Sequence, residues 1–280
     1  MVLVHLVKTP SPSPSEIEKI WRRYDEDELR LTSGVSERML ERGDAASKLR
    51  ILDIATGRGE PAIRAAQVTQ HGTVIGIDSA AAMLKMAQER ASREGVSNLQ
   101  LLEANALELP PLPFQEFELA LCRWGLMYFS EPKKTLAWVR KILHPSGKFV
   151  AAFWAEPHRV SYFYHPRKLL ANYVSLPSHE FEGSPTFRYA HIESIHSDFE
   201  EEGWRIESIE EMEVDVMEAR SDQELIAWVR AFGLNRLTQL LPNEIQQAWE
   251  RELIEKSQMY KKGTSYFLGG TTRIVVASPR

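Results

Sequence analysis

Between residues 50 and 154 the chain alternates short apolar runs with segments whose apolar positions recur at helical spacing. Residues 50–55, 73–78, 99–104, 117–123 and 147–154 read as strands. Helices are predicted over 61–68, over 79–93 with Ser79 as N-cap, and over 132–143; Gly95 is placed to end the second of them. Runs that are apolar throughout suit strands buried on both faces. Their alternation with helices predicts a parallel sheet covered on both sides.

The pattern changes after residue 154. Residues 162–189 are rich in aromatics, Pro, Ser and His, with little periodicity. Ile192, Ile195 and Phe199 share one helical face, closed by Gly203. Residues 211–217 alternate apolar and acidic positions, as a half-exposed strand does. Ser221 and Glu224 form a capping box for a helix carrying Leu225, Trp228, Val229 and Phe232 on one face. Another helix follows Pro242, with Ile245, Trp249 and Leu253 on one side, and 271–277 reads as a last strand. Upstream, residues 16–43 are amphipathic and 9–15 are a Pro/Ser run expected to be extended and mobile.

Composition narrows the class. A 280-residue chain that is 43% apolar and 26% charged is an ordinary globular one, long enough for a substantial core. A net charge of -5 with no basic block argues against a nucleic-acid partner. The single cysteine, Cys122, excludes an intrachain disulfide and a multi-cysteine metal site, and its apolar run makes it a buried, inert thiol. Residues 1–7 are too short for a signal-peptide core, and no run approaches the roughly 20 apolar residues a bilayer requires. These readings predict a soluble, cytoplasmic protein with no membrane partner, as a monomer or homodimer.

Residues 52–62 read Leu-Asp-Ile-Ala-Thr-Gly-Arg-Gly-Glu-Pro-Ala, and Asp78 ends the next apolar run. A strand ending at an acid, a glycine turn, a helix start and a second acid one strand later bring bare backbone close to a nucleoside. They also supply an acceptor for ribose hydroxyls. Residues 57–62 equally satisfy a Gly-x-Gly-x-x-Ala dinucleotide pattern, so a nicotinamide or flavin protein competes. Charge separates the two. Asp53 at the mouth of the first strand would repel a pyrophosphate at the helix start. It would favour S-adenosylmethionine, a sulfonium and ammonium compound, by roughly 3–4 kcal/mol before desolvation. The other reading of Asp53, a cap on loop amides, is compatible with either ligand.

With these stretches the chain resembles the class I S-adenosylmethionine-dependent methyltransferases, closest to the ubiquinone/menaquinone-biosynthesis-type small-molecule group. Residues 52–62, Gly76-Ile-Asp-Ser79 with Met83-Leu84, Cys122-Arg-Trp-Gly-Leu-Met-Tyr-Phe129 and Leu143-His-Pro-Ser-Gly-Lys148 carry the likeness, which is strong over 52–154. The resemblance implies a Rossmann-like doubly wound seven-stranded sheet with an antiparallel last strand, an N-terminal lid and an inserted helical cap. It divides the chain into a mobile segment (1–15), a helical lid (16–48), a donor-binding core (49–155) and a remainder (156–280) that completes the sheet and covers the substrate.

The same resemblance implies roles for matching positions. Gly57 and Gly59 let backbone approach the methionine and ribose, with Asp53, Ala55 and Ser79 in the same loops. Asp78 accepts both ribose hydroxyls. Met83 packs on the adenine, unless it is simply core. Asn105-Ala106 stands where the family usually has Asp-Ala, so an amide oxygen can still accept while the charge-assisted bond is lost. Arg58 replaces the usual Thr and reaches the methionine carboxylate or lies in solvent.

Arg123 ends a buried strand at the rim where open α/β sheets bind ligands, and needs a partner: the cofactor carboxylate, an anionic substrate, or a structural acid. Trp124, Tyr128, Phe129 and Trp154 form an apolar wall for a flat substrate or are packing. Trp21 and Tyr24 are lid candidates. His158, His165 and His179, in the covering segment, are the candidates for a general base, needed only if the nucleophile is a hydroxyl or an unactivated carbon. No histidine pair has metal-ligand spacing, and no Gly-x-Ser-x-Gly elbow supports a hydrolase. The expected reaction is methyl transfer to a small acceptor, a quinone precursor or aromatic secondary metabolite, at carbon, oxygen or nitrogen. The alternatives are a donor-binding relative that catalyses another reaction and an NAD(P)-dependent oxidoreductase.

Overall fold

A computed structural model describes residues 14–280 apart from 70, 109, 114 and 182; most of the predicted mobile segment 1–15 lies outside the described residues. The strands are β1 (Arg50–Ile54), β2 (Thr73–Asp78), β3 (Leu99–Glu103), β4 (Phe117–Arg123), β5 (Leu143–Trp154), β6 (Trp204–Ala219), β7 (Lys261–Lys262) and β8 (Ser265–Pro279). The helices are α1 (Pro14–Gly43), α2 (Ala62–Val68), α3 (Ala81–Arg93), α4 (Pro132–Ile142) and α5 (Ser161–Leu170). They continue with α6 (Ile192–Glu201), α7 (Asp222–Val229), α8 (Asn235–Gln239) and α9 (Asn243–Ser257).

Seven strands lie in the order β3-β2-β1-β4-β5-β8-β6, and the two-residue β7 pairs with β8. β1 to β5 pair in parallel, while β5 and β8 are antiparallel, with Phe149 opposite Ala277 and Trp154 opposite Thr272. The predicted doubly wound sheet with an antiparallel last strand is thus the observed one. Its central strands are apolar because both faces are covered: Ile51, Leu52, Ile75, Ile77 and the run from Leu119 to Cys122 are all without exposure.

Strand order runs one way from β1 to β3 and the other way from β4 to β5. Right-handed crossovers therefore place α2 and α3 on one face and α4 on the other. The reversal leaves a crevice at the carboxyl ends of β1 and β4. Both strands leave the sheet through left-handed residues there, Ala55 (φ 56°) and Trp124 (φ 54°). Such φ values in non-glycine residues cost energy and concentrate at functional sites.

Two compact units are distinguishable, with α1, β6 and β8 contributing to both. One comprises Ser33–Trp154, Arg188–Met212 and Thr272–Arg280, and holds the parallel strands with α2, α3, α4 and α6. The other comprises the chain up to Thr32, Ala155–Phe187 and Glu213–Thr271. Its core joins Leu225, Trp228, Trp249, Leu253 and Leu268, and the Trp249 indole N–H donates to the Pro166 carbonyl at 3.1 Å.

Several expectations need correction. Ser79 is exposed and caps nothing: Ala80 precedes α3, and its N–H is taken by the Asp78 Oδ1 at 2.8 Å. The stretch 162–189, read as aperiodic, contains α5. Three consecutive aromatics and an internal Pro166 blur its period, although Pro166, Arg167, Leu169 and Leu170 form a buried face. The strand read at 211–217 extends over Trp204–Ala219, and the last strand begins at Ser265. The capping box forms in part: Ser221 Oγ accepts from the Glu224 N–H at 3.1 Å, while Glu224 reaches back to Arg220 N at 2.7 Å.

Candidate cofactor site at the ends of β1 and β2

The loop after β1 is closed on itself and tied to β2. Gly59 N donates to Thr56 O (2.9 Å), and Thr56 N donates to Ile77 O (2.9 Å). The half-buried Asp78 carboxylate then links both neighbouring turns. Its Oδ2 accepts from Gly57 N at 2.8 Å and its Oδ1 from Ala80 N. Each carboxylate oxygen has further lone pairs, so acceptor capacity remains for a pair of hydroxyls.

The two loop glycines have different reasons to be glycine. At Gly57 (φ 54°) a Cβ would meet no described atom within 4 Å, so bare backbone faces open space there. At Gly59 (φ 88°) a Cβ would lie 2.6 Å from Ile63 Cδ1 and 3.3 Å from Ala87 Cβ. Gly59 therefore allows α2 and α3 to pack against the loop, and ligand approach is not what requires it. A nucleoside fits the observed cradle: open backbone at Gly57 beside an acceptor carboxylate, with Met83 buried in the first turn of α3.

Asp53 is not at the mouth of the strand. It is without exposure, and its Oδ2 accepts from Thr56 Oγ1 at 2.6 Å and from Ala62 N at 3.1 Å. Its Oδ1 is buried with no partner among the described residues. Burial pushes its pKa up to about 7, against the pull of the Thr56 and Ala62 hydrogen bonds and the charge of Arg123. The cap reading is thus the observed one, and an enclosed Asp53 presents no exposed charge to repel a pyrophosphate. Neighbouring Cys122 is buried as expected, with burial raising its thiol to about 12. Sequence reasoning passed over Glu60, whose carboxylate is also buried and pairs with Arg90 at 2.6 Å and Arg64 at 3.2 Å. Glutamate followed by arginine thirty positions on carries no local signal.

Asn105 makes a local cap, its Oδ1 accepting from Leu107 N (3.0 Å) and its Nδ2 reaching Glu108 (3.3 Å); Ala106 is buried in the turn that follows. Arg58 is buried, which removes the solvent reading. The Arg123 guanidinium lies 4.8 Å from the Trp124 ring centroid. Trp124 stacks on Trp154 at 4.5 Å and 12°, and its indole N–H donates to Thr272 Oγ1 on β8 at 2.9 Å. Tyr128 is the aromatic of that loop turned outward, at 55% exposure.

In the other unit, Trp21 and Tyr24 join an aromatic cluster, with centroids 4.9 and 5.5 Å from Phe232, which stacks on Trp228 at 4.3 Å. The three histidines sit in separate settings. His158 is exposed and His179 is exposed beside Glu180, at 3.8 Å. His165 contacts Ser257 Oγ at 3.1 Å and the Tyr260 ring edge-on, and burial lowers its pKa to about 4. Among the described residues no group of His, Cys, Asp and Glu could hold a metal, and no helix is long and apolar enough to cross a membrane.

Comparison with known proteins agrees with this geometry. The methyltransferase domain family model matches residues 45–182. YcgJ, an uncharacterized methyltransferase of Bacillus subtilis, is 29% identical over 112 residues, 40% of this chain and 43% of that protein. A demethylmenaquinone methyltransferase of Symbiobacterium thermophilum is 29% identical over 160 residues, 53% of this chain and 63% of its own. The chain thus spans about half the length of the curated relatives it matches. The crystal structure of YcgJ superposes with a TM-score of 0.54 at 17% identity, covering 88% of this chain and 97% of the other, which shows the shared fold. Over residues 45–182 the chain is thus similar to a methyltransferase domain, within a fold it shares with solved methyltransferase structures.

Proposed function

We propose that the protein transfers the methyl group of S-adenosylmethionine to a small organic acceptor, with a quinone precursor as the first class to test. The observation that carries the reading is the pairing of open Gly57 backbone with the Asp78 carboxylate at the switch point of the sheet. The demethylmenaquinone methyltransferase among the relatives motivates the acceptor class.

When bound, S-adenosylmethionine supplies a methyl group already activated by its sulfonium. The chain's part is then largely positioning. In this reading Asp78 accepts from the ribose hydroxyls, Gly57 admits the backbone-facing side of the ligand, and Met83 borders the base. Ala55 and Ser79 line the two turns, and Arg123 faces an anionic group of the ligand or acceptor. Tyr128 is the outward aromatic for a flat acceptor, beside the Trp124–Trp154 stack. None of the three histidines is assigned a proton-transfer role.

The test is transfer of a labelled methyl group from the donor to a panel of demethylated quinols and related phenols, with S-adenosylhomocysteine measured in parallel. Acceptor-dependent label and an equal amount of S-adenosylhomocysteine are expected. Donor binding without label transfer to any acceptor would favour a relative that uses the bound donor for another reaction.

A further inference from the structure

Besides the backbone bond from Thr56 N to Ile77 O, side chains fasten the glycine loop to the β2–α3 segment at two points, and only one of them belongs to the nucleoside cradle. The first is Gly57 N on Asp78. The second lies behind the loop. Glu60, the last acid before α2, has a side chain only 3% exposed, and its Oε1 receives Arg90 Nη2 of α3 at 2.6 Å. Arg90 is itself 7% exposed and is oriented by Glu94, at 2.6 Å from its Nε. Arg64 of α2 approaches the same Glu60 oxygen at 3.2 Å and continues to Glu37 of α1 at 3.1 Å.

A buried ion pair of this kind is a poor source of stability, because desolvation consumes much of the attraction and well-packed apolar side chains serve as well or better. This one is also incompletely satisfied: Glu60 Oε2 and Arg90 Nη1 are buried with no partner among the described residues. What it does supply is direction. Burial works against the Glu60 charge, yet the charges of Arg123 and Arg90 outweigh it and hold the carboxyl below its ordinary range. A fixed anion on the loop therefore meets a fixed cation on the helix that starts at Ala81, three residues after Asp78.

We propose that Arg90 is a positioning residue for the donor: by clamping Glu60 it sets the spacing between the Gly57 backbone and Asp78. Neither Arg90 nor Glu60 touches the ligand in this scheme. The inference rests on the donor-binding reading above. A displacement beyond about 0.5 Å at such a cradle is enough to weaken binding, since supporting residues hold ligand-contacting groups within that distance of the productive geometry.

Calorimetric titration of the 280-residue chain with S-adenosylhomocysteine tests this, alongside thermal unfolding of each variant. The double variant E60L/R90M, which replaces the pair by apolar side chains, is expected to keep the wild-type Tm or exceed it while binding about tenfold more weakly. R90K, which keeps a cation for Glu60, is expected to recover affinity to within about threefold of wild type. Should the apolar pair fail to fold, the isosteric E60Q carries the same comparison. Wild-type affinity in E60L/R90M or E60Q overturns the positioning role, as does an affinity loss that only tracks Tm. Absence of any binding by the wild-type chain overturns the donor reading itself, and the positioning role with it.

Discussion

The Asp78 carboxylate accepts the Gly57 amide at 2.8 Å, so the acid at the end of β2 holds the glycine loop that follows β1. The same carboxylate takes the Ala80 amide ahead of α3. One side chain thus organises both turns of the cradle.

Asp78→Ala removes that organiser and the acceptor proposed for the ribose hydroxyls. Donor affinity is expected to fall by roughly 1–3 kcal/mol or more, the worth of hydrogen bonds to a charged group. Titration calorimetry against the wild-type chain reads it directly; unchanged affinity would remove Asp78 from the site.

Gly57→Val and Gly59→Val are expected to fail in different ways. Both force a side chain into left-handed backbone, at about 1–2 kcal/mol each. At Gly57 the side chain then projects into open space, so the protein folds and donor binding is lost. At Gly59 it meets Ile63 and Ala87, so the fold is destabilised as well. Thermal unfolding and binding measured on both variants separate the two; a larger Tm loss at Gly57 would contradict the assignment.

Stability should depend on pH with two opposing components. Asp53 is raised in the folded state to about 7, so between about pH 4 and 7 the native protein binds more protons than the unfolded chain. Its contribution is full below the unfolded pKa and is lost as pH rises through 7. His165 is lowered to about 4, so below about pH 6.5 the unfolded chain binds more protons and stability is lost as pH falls. Each slope is at most about 1.4 kcal/mol per pH unit, with the His165 term reduced by its partial exposure. Denaturant titrations of D53N should show a steeper rise of stability with pH than wild type, and those of H165Q a steeper fall. Parallel curves would refute the burial assigned to these groups.

Thr272→Val leaves the Trp124 indole N–H without its acceptor while preserving shape on β8. A loss of about 0.5–1.5 kcal/mol of stability is expected. A red shift in tryptophan emission is expected with it, as the Trp124–Trp154 stack loosens. No change in either would show that the Thr272 hydroxyl does not hold the stack.

The parts of the fold legible in the chain were those whose environment is uniform. β2 and β4 occupy the predicted residues because parallel strands buried on both faces read as unbroken apolar runs. The pattern predicts only 211–217 of β6 because its first half alternates charged with half-buried positions weakly, through Arg205, Glu207 and Glu210. α5 was hidden by Tyr162, Phe163 and Tyr164 in succession. At the site, Asp78 and the glycines stood out as a local motif. The burial of Asp53 and the Glu60–Arg90 pair did not, because both depend on what distant segments bring alongside. No local pattern records that a carboxylate has been enclosed.

The most direct measurement is a crystal structure of the 280-residue chain with S-adenosylhomocysteine. The account predicts ligand density against the open backbone of Gly57, with both ribose hydroxyls donating to Asp78. Density elsewhere, or a cradle left closed at saturating ligand, would contradict it.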